Sequence, residues 1–277
     1  FAAEAQADLI TRLRIRYSAT AVVLTVSGQS VLVTARLIKE RVASAGFDAV
    51  LAGVGLANLS AWHAVRQLKA EGNDVELMAE IGMFGYDPRP GEPFIFANRN
   101  LHTSKWLTDV SVVLGALVGG PGTRSLGVIG AAQIDSDFNT NSTYAEDGSF
   151  LVGSGGANDI MSRADEVLVT INLDRSRLVN ALPYVTCPGD RVRTVVTSGA
   201  VFERRDGALV LSRFLPGAGE DVESAVEWIR ERCMWDFTVA HDVKREADPT
   251  VEELSALRLF DPERTFLRGQ KIGPNSN

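Results

Sequence analysis

Residues 47–82, FDAVLAGVGLANLSAWHAVRQLKAEGNDVELMAEIG, constrain the fold more than any other part of this 277-residue chain. FDAVLAGVGLAN is a short apolar run that ends in glycines, as a buried strand running into a turn would. NLSAWHAVRQLKAEG, of helical spacing, follows as far as Gly72, and DVELMAEIG reads as a second strand. Strand, helix and strand in that order predict a βαβ crossover, and hence parallel strands in one sheet. Upstream, SGQSVLVTARLIKERVASAG sets Val31, Ala35, Ile38 and Val42 on one helical face, starting at Ser27 and stopping at Gly46. The second helix is read as capped by Asn58 and closed by Gly72.

The remainder is of the same kind. YDPRPGEPFIFANRN reads as a loop, DVSVVLGALVGG as a helix, and LGVIGAAQID and DEVLVTINL as buried strands. RTVVTSGAVFERRDGALVLSRF alternates around Asp206-Gly207 and predicts a β-hairpin near the C-terminus. EDVESAVEWIRER is an amphipathic helix. TVEELSALRLF opens with the capping box Thr250-x-x-Glu253. The expected fold is therefore α/β: an open, mostly parallel sheet flanked by helices, with a C-terminal β-hairpin. Residues 27–277 read as one domain. Residues 1–26 read as an N-terminal extension, a signal peptide being only loosely matched.

Hydrophobic residues make up 45% of the chain and charged residues 23%, enough for a sizeable core. A net charge of -7 argues against nucleic acid as a partner. No apolar run reaches the length of a membrane span. The two cysteines form no CxxC, and the three histidines are scattered. No metal site or disulfide framework is implied, and the cytoplasm is the expected setting.

Two places invite chemistry. The turn GVGLAN, with Gly53, Gly55 and Asn58, stands close to G-x-G-x-x-G. Glu76 and Glu80 lie where a dinucleotide fold would want its acid, so an NAD-binding oxidoreductase is one reading and tight packing another. Glu80 itself ends an apolar strand before a glycine turn. There a carboxylate would be partly desolvated and short of cations, as suits a general base or nucleophile; an ordinary surface carboxylate is the alternative. The stretch FLVGSGGANDIMSRADEVLVTI crowds Gly153, Gly155 and Gly156 ahead of a strand. Either it is a plain surface loop, or a ligand lies against bare backbone.

The ordered series GAAQID, NTNST, GSGGANDI and YVTCPGD resembles the β-type subunit of family I CoA-transferases, particularly the glutaconate type. GVGLAN resembles that family's G-x-G-L-P-N. AEIG places Glu80 at its catalytic glutamate, and DPTVEELSALRLFDPERTF resembles its C-terminal helix. The resemblance runs from about residue 27 to 266. It departs at Phe138 (usually Gly), Ile81 (Ser or Asn), Ala57 (Pro) and Cys187 (Ser). Without glycine at 138, a tight turn through φ > 0 is not expected there, and the loop should differ locally.

The resemblance implies the CoA-transferase (NagB/RpiA-like) fold and an enzyme that moves CoA between an acyl-CoA donor and a carboxylic acid. Glu80 would carry CoA as a thioester. Gly155 and Gly156 would offer backbone N–H groups to the oxyanion, while Gly153, Ala157 and Asn158 shape the loop. Gly53, Gly55, Asn58, Gly82, Gln133 and Asn141 are candidates for the substrate pocket. The resemblance implies no metal and no permanently bound cofactor, only CoA and acyl-CoA as substrates. It implies an α-type partner subunit, in a heterodimer or heterotetramer. A CoA-thioester or ring-opening hydrolase of the same fold, and a non-catalytic β-type subunit, stand as alternatives. A decarboxylase relative is disfavoured by the retained carboxylate at position 80.

Overall fold

The computed structural model describes residues 26–91 and 93–267; the extension read at residues 1–26 lies, apart from Val26, outside the described residues. Helix α1 (Val26–Ala45) starts one residue ahead of Ser27. It ends at Gly46, whose φ of 66° is the left-handed conformation that glycine adopts freely. Strand β1 (Ala49–Ala52), helix α2 (Leu56–Ala70) and strand β2 (Glu76–Ala79) form the expected crossover, β1 and β2 being parallel. The cap of α2 departs from expectation. Gly55, at φ 100°, is the N-cap, and Asn58 is buried inside the first turn. The chain leaves β1 through a left-handed residue, which starts the helix sooner than an Asn cap would.

Strand β2 turns straight back into β3 (Met83–Phe84), which pairs with β4 (Trp106–Leu107) at the sheet edge. The proline-rich loop between them contains a single-turn helix, α3 (Asn98–Leu101), that its turn-forming residues concealed. The next apolar segment is helical but of the π type, Ser111–Val118. Its buried residues Val113 and Val118 lie five apart, the i→i+5 spacing of a π-helix. Strand β5 (Ser125–Gly130) stops at Ala131, so the run read as one strand is split. The rest, β6 (Gln133–Ile134), pairs with β7 (Thr140–Asn141) in a small separate ribbon. Helix α4 (Ala157–Arg163) then leads to β8 (Glu166–Ile171).

The C-terminal part is richer than a hairpin. Strand β9 (Val192–Thr197) is antiparallel to β10 (Ala200–Arg205), which is antiparallel to β11 (Ala208–Phe214). Asp206 and Gly207, at φ 50° and 82°, make the β10–β11 turn with both central residues left-handed, as a type I′ turn requires. Helix α5 (Val222–Arg232) and an unanticipated strand, β12 (Thr238–Arg245), follow. Strand β12 carries charges on its exposed edge and so lacks an apolar signature. Helix α6 (Val251–Phe260) has the predicted Thr250–Glu253 capping box.

Among the described residues ten strands form one sheet in the order β12-β11-β10-β9-β8-β5-β1-β2-β3-β4. The central run β9-β8-β5-β1-β2 is parallel, with antiparallel strands added at each side. The sheet is thus open, mixed and mostly parallel. One core cluster lies beneath α1, α2 and α6 and includes Trp62, which donates its indole N–H to Tyr86 at 2.8 Å. The second packs Phe202, Trp235 and Phe237 together with Phe138. Both faces are covered, which is why the central strands read as continuous apolar runs. No helix among the described residues is long and apolar enough to cross a membrane.

Candidate functional site

Glu80 sits at the tip of the β2–β3 hairpin, on the carboxyl edge of the parallel strands, where open α/β sheets bind ligands. The tip is closed by a hydrogen bond from Gly82 N–H to the Ala79 carbonyl at 3.1 Å. Gly82 has φ 107°, and a Cβ there would lie 2.2 Å from the Thr108 carbonyl oxygen. Only glycine fits, so the Thr108 backbone can clamp the hairpin, donating its N–H to Gly82 O at 2.8 Å. Glu80 is half-buried and, among the described residues, holds no hydrogen bond or ion pair.

The glycine loop reaches this carboxylate. A Cβ built on Gly156 would lie 2.0 Å from Glu80 Oε2, and one on Gly155 would lie 3.8 Å from Oε1. Gly155 also has φ 52°, while Gly156 has an ordinary φ of -75°. Each therefore has a physical reason to be glycine, one conformational and one of close approach. Gly153 has neither: its Cβ would meet nothing within 4 Å. Ala157 begins α4 and packs on the second core. Asn158 donates its side-chain amide to the Thr186 carbonyl at 2.7 Å, pinning α4 to the YVTCPGD segment.

The expectation at Phe138 is overturned. Its φ is 66°, so the turn passes through the left-handed region despite the missing glycine. Asp135 accepts hydrogen bonds from the backbone of Asp137 and Asn139 and from the Asn139 amide, fixing the turn. The Phe138 ring is fully buried against Trp235, with the Arg204 guanidinium 4.9 Å from its centre. Left-handed geometry costs about 1–2 kcal/mol. Burying the ring returns about 1.5–3 kcal/mol. Burial therefore offsets the strain. Gly189, in the same YVTCPGD segment, is the residue sequence reasoning passed over: its Cβ would lie 2.3 Å from Asp137 O, so it seats this turn.

The remaining pocket candidates are largely engaged within the fold. Asn141 donates to Gln133 Oε1 and to the Tyr144 carbonyl, and its own oxygen accepts the Thr143 N–H. Gln133 donates to the Ser176 carbonyl, and with Ala132, Leu151 and Arg177 it lines a cavity of about 550 Å³. Asn58 is buried and donates to the Pro93 carbonyl at 2.8 Å. Gly53 follows β1, its N–H bonded to Val128 O. Ala57 and Cys187 are buried, whereas Ile81 is 45% exposed beside Glu80. Burial pushes the Cys187 thiol up, against a hydrogen bond from Thr140. Glu76 does not serve the dinucleotide reading. It opens β2 at the opposite edge from Glu80 and is held by Lys69 and Lys105. Burial would raise its carboxyl, but the two ammonium groups outweigh this and hold it below the ordinary range.

No protein-family model matches the chain. Over 173 residues it is 28% identical to the B-type polypeptide of 3-oxoadipate CoA-transferase from Pseudomonas knackmussii, a match that covers 55% of this chain and 64% of that relative. Glutaconate coenzyme A-transferase from Acidaminococcus fermentans superposes with a TM-score of 0.76 at 20% identity, covering 91% of this chain and 100% of that one. The decarboxylase AibA/AibB superposes at 0.68 and 21% identity, covering 88% and 97%. The acyl-CoA transferase YdiF of Escherichia coli O157:H7, in a thioester complex with CoA, superposes at 0.59 and 19%, covering 87% of this chain and 45% of that one. The chain has the CoA-transferase fold, and its sequence resembles the β-type subunits of family I CoA-transferases.

Proposed function

We propose that this chain is the catalytic β-type subunit of a CoA-transferase, with Glu80 as its nucleophile. The contact between the Glu80 carboxylate and the bare Gly155–Gly156 backbone carries the reading. A Glu80 oxygen attacks the donor's thioester carbonyl, the C–S bond breaks, and the electron pair leaves on CoA sulfur. The resulting thiolate attacks the glutamyl carbonyl of the mixed anhydride and releases the first acid as carboxylate. CoA is now a thioester on Glu80, and the second acid runs the steps in reverse. Each addition forms an oxyanion. Neither the Gly155 nor the Gly156 N–H is engaged by another group among the described residues, so both are free to donate to it. Losing one such donor typically costs about 2.7–4 kcal/mol of transition-state stabilisation.

An α-type partner completes the site. Ile81 and Val110 are exposed at the hairpin tip that carries Glu80, and Phe150, Leu151 and Val152 are exposed just ahead of the glycine loop in the chain, an apolar run of the kind that marks an interface. Co-expression with an α-type chain should give a single heteromeric peak on size-exclusion chromatography. Full transfer activity from this chain alone would exclude the partner.

The deciding experiment is intact mass spectrometry of that complex with acetyl-, propionyl-, succinyl- and glutaryl-CoA. A CoA-sized adduct on the peptide bearing MAEIGMFG, discharged by acceptor acid and lost in Glu80→Gln, is the expected result. Turnover by Glu80→Gln without any adduct would overturn the reading in favour of hydrolysis by activated water.

A further inference from the structure

The π-helix Ser111–Val118 is built into the chain from both ends. Asp109 Oδ1 accepts the Val112 N–H at 3.0 Å and the Ser111 hydroxyl at 2.8 Å, and its carbonyl accepts the Val113 N–H. At the far end a Cβ on Gly120 would lie 2.1 Å from the Ala116 carbonyl oxygen, so glycine is required to close it. The wide turn buries Val113 and Val118. It also packs against α4, behind the glycine loop. Leu114, only half-buried, is aimed at that loop. Its Cδ1 lies 3.2 Å from the same point beside Gly156 that Glu80 Oε2 approaches to 2.0 Å. A leucine methyl and the carboxylate thus flank one spot on bare backbone. Ile81 and Val110, both exposed, extend the apolar border, since the Thr108 backbone abuts the hairpin tip.

We propose that Leu114 shields the acylated Glu80 from water and so sets how much CoA is passed to an acid and how much is lost to hydrolysis. The proposal rests on Glu80 being the CoA carrier. Hydrolysis of that intermediate needs only water. A water oxygen bonds to the glutamyl carbonyl carbon, the C–S bond breaks, and the electron pair leaves on CoA sulfur. One water proton goes to the thiolate and the other to solvent, and the Glu80 carboxylate is restored. The Leu114 methyl takes up part of the space beside Gly156 that a water would otherwise enter, and it offers that water no hydrogen bond. An enclosing apolar side chain suppresses this side reaction without touching the transfer steps.

The test is the lifetime of the CoA adduct in the αβ complex, loaded with whichever of the four thioesters labels Glu80, then freed of acid and thioester. Leu114→Ala should load as wild type does but lose the adduct about tenfold faster, with a matching rise in the ratio of hydrolysis to transfer. Leu114→Met, which keeps apolar volume, should hold the wild-type lifetime. Leu114→Val should fall between, and it gives the same reading if the alanine variant does not fold. Unchanged lifetimes in the alanine and valine variants, or a methionine variant as short-lived as alanine, would overturn the proposal. A wild-type complex that never carries CoA on Glu80 would instead overturn the function on which it rests.

Discussion

The carboxylate of Glu80 fills the space that a side chain on Gly156 would need, with Oε2 2.0 Å from the Cβ position. Gly156→Ala should therefore displace Glu80 rather than unfold the chain, because the obstructing atoms are the end of a flexible side chain and φ is ordinary. A displacement near 1 Å should lower kcat about 100-fold. Gly156→Val should abolish turnover. Paired kcat and melting measurements check this: a variant at wild-type rate would show the loop to be an ordinary turn.

Gly82 and Gly153 should behave oppositely. At Gly82 the obstacle is backbone, and φ is 107°. Gly82→Ala should destabilise the chain by more than about 1 kcal/mol and loosen the hairpin tip. Gly153→Ala meets open space and should stay within about 0.5 kcal/mol of wild type. Urea denaturation of both variants measures the contrast.

At Phe138 the usual ranking of truncations should invert. Phe138→Ala loses the buried ring, at about 3–5 kcal/mol, and keeps a Cβ at φ 66°. Phe138→Gly loses the same ring but relieves left-handed strain of about 1–2 kcal/mol. The glycine variant should be at least as stable as the alanine variant; a clearly less stable one would mean that φ carries no strain.

Stability should fall on mild acidification because of His63. Burial, aided by the charges of Lys39, Arg66 and Arg36 and opposed by Glu253, lowers its pKa from 6.5 to about 4. The unfolded chain therefore takes up a proton that the folded chain refuses. The contribution is intact above pH 6.5 and is lost progressively as pH falls towards 4, reaching about 3 kcal/mol. His63→Gln should flatten the stability profile across that window in urea titrations at stepped pH. An unchanged slope would assign the acid sensitivity to the carboxylates.

The parallel half of the sheet was legible because strands covered on both faces are apolar along their length, as in AVLA and, past Glu76, in LMA. The caps at Thr250 and Gly46 were legible because each is a local backbone requirement. Strand β12 was not, since an edge strand with one wet face carries Lys244 and Arg245 without penalty. The π-helix was hidden because its sequence, SVVLGALV, is apolar at nearly every position and shows no period. Glu80 and Gly155–Gly156 could be singled out through a resemblance, but their contact is a tertiary fact. Phe138 was misjudged because its ring's partners, Trp235 and Arg204, are far along the chain. Gly189 could be seen only as the glycine of YVTCPGD; its physical reason, the turn it touches, is a tertiary fact.

The route by which Glu80 meets Gly156 has a consequence for how the molecule matures. Glu80 closes β2 and Gly156 opens α4 ahead of β8, while β1 and β5 lie between those strands in the sheet. Their meeting requires β2 on β1, β1 on β5 and β5 on β8, each a parallel ladder between segments separated by a crossover. Such pairings form slowly, because loop closure comes before any contact rewards it. On refolding, helical signal from α1 and α2 should return first. If Glu80 carries CoA as proposed, its loading in the presence of the α-type partner should return only with the last ladder and would mark completed assembly.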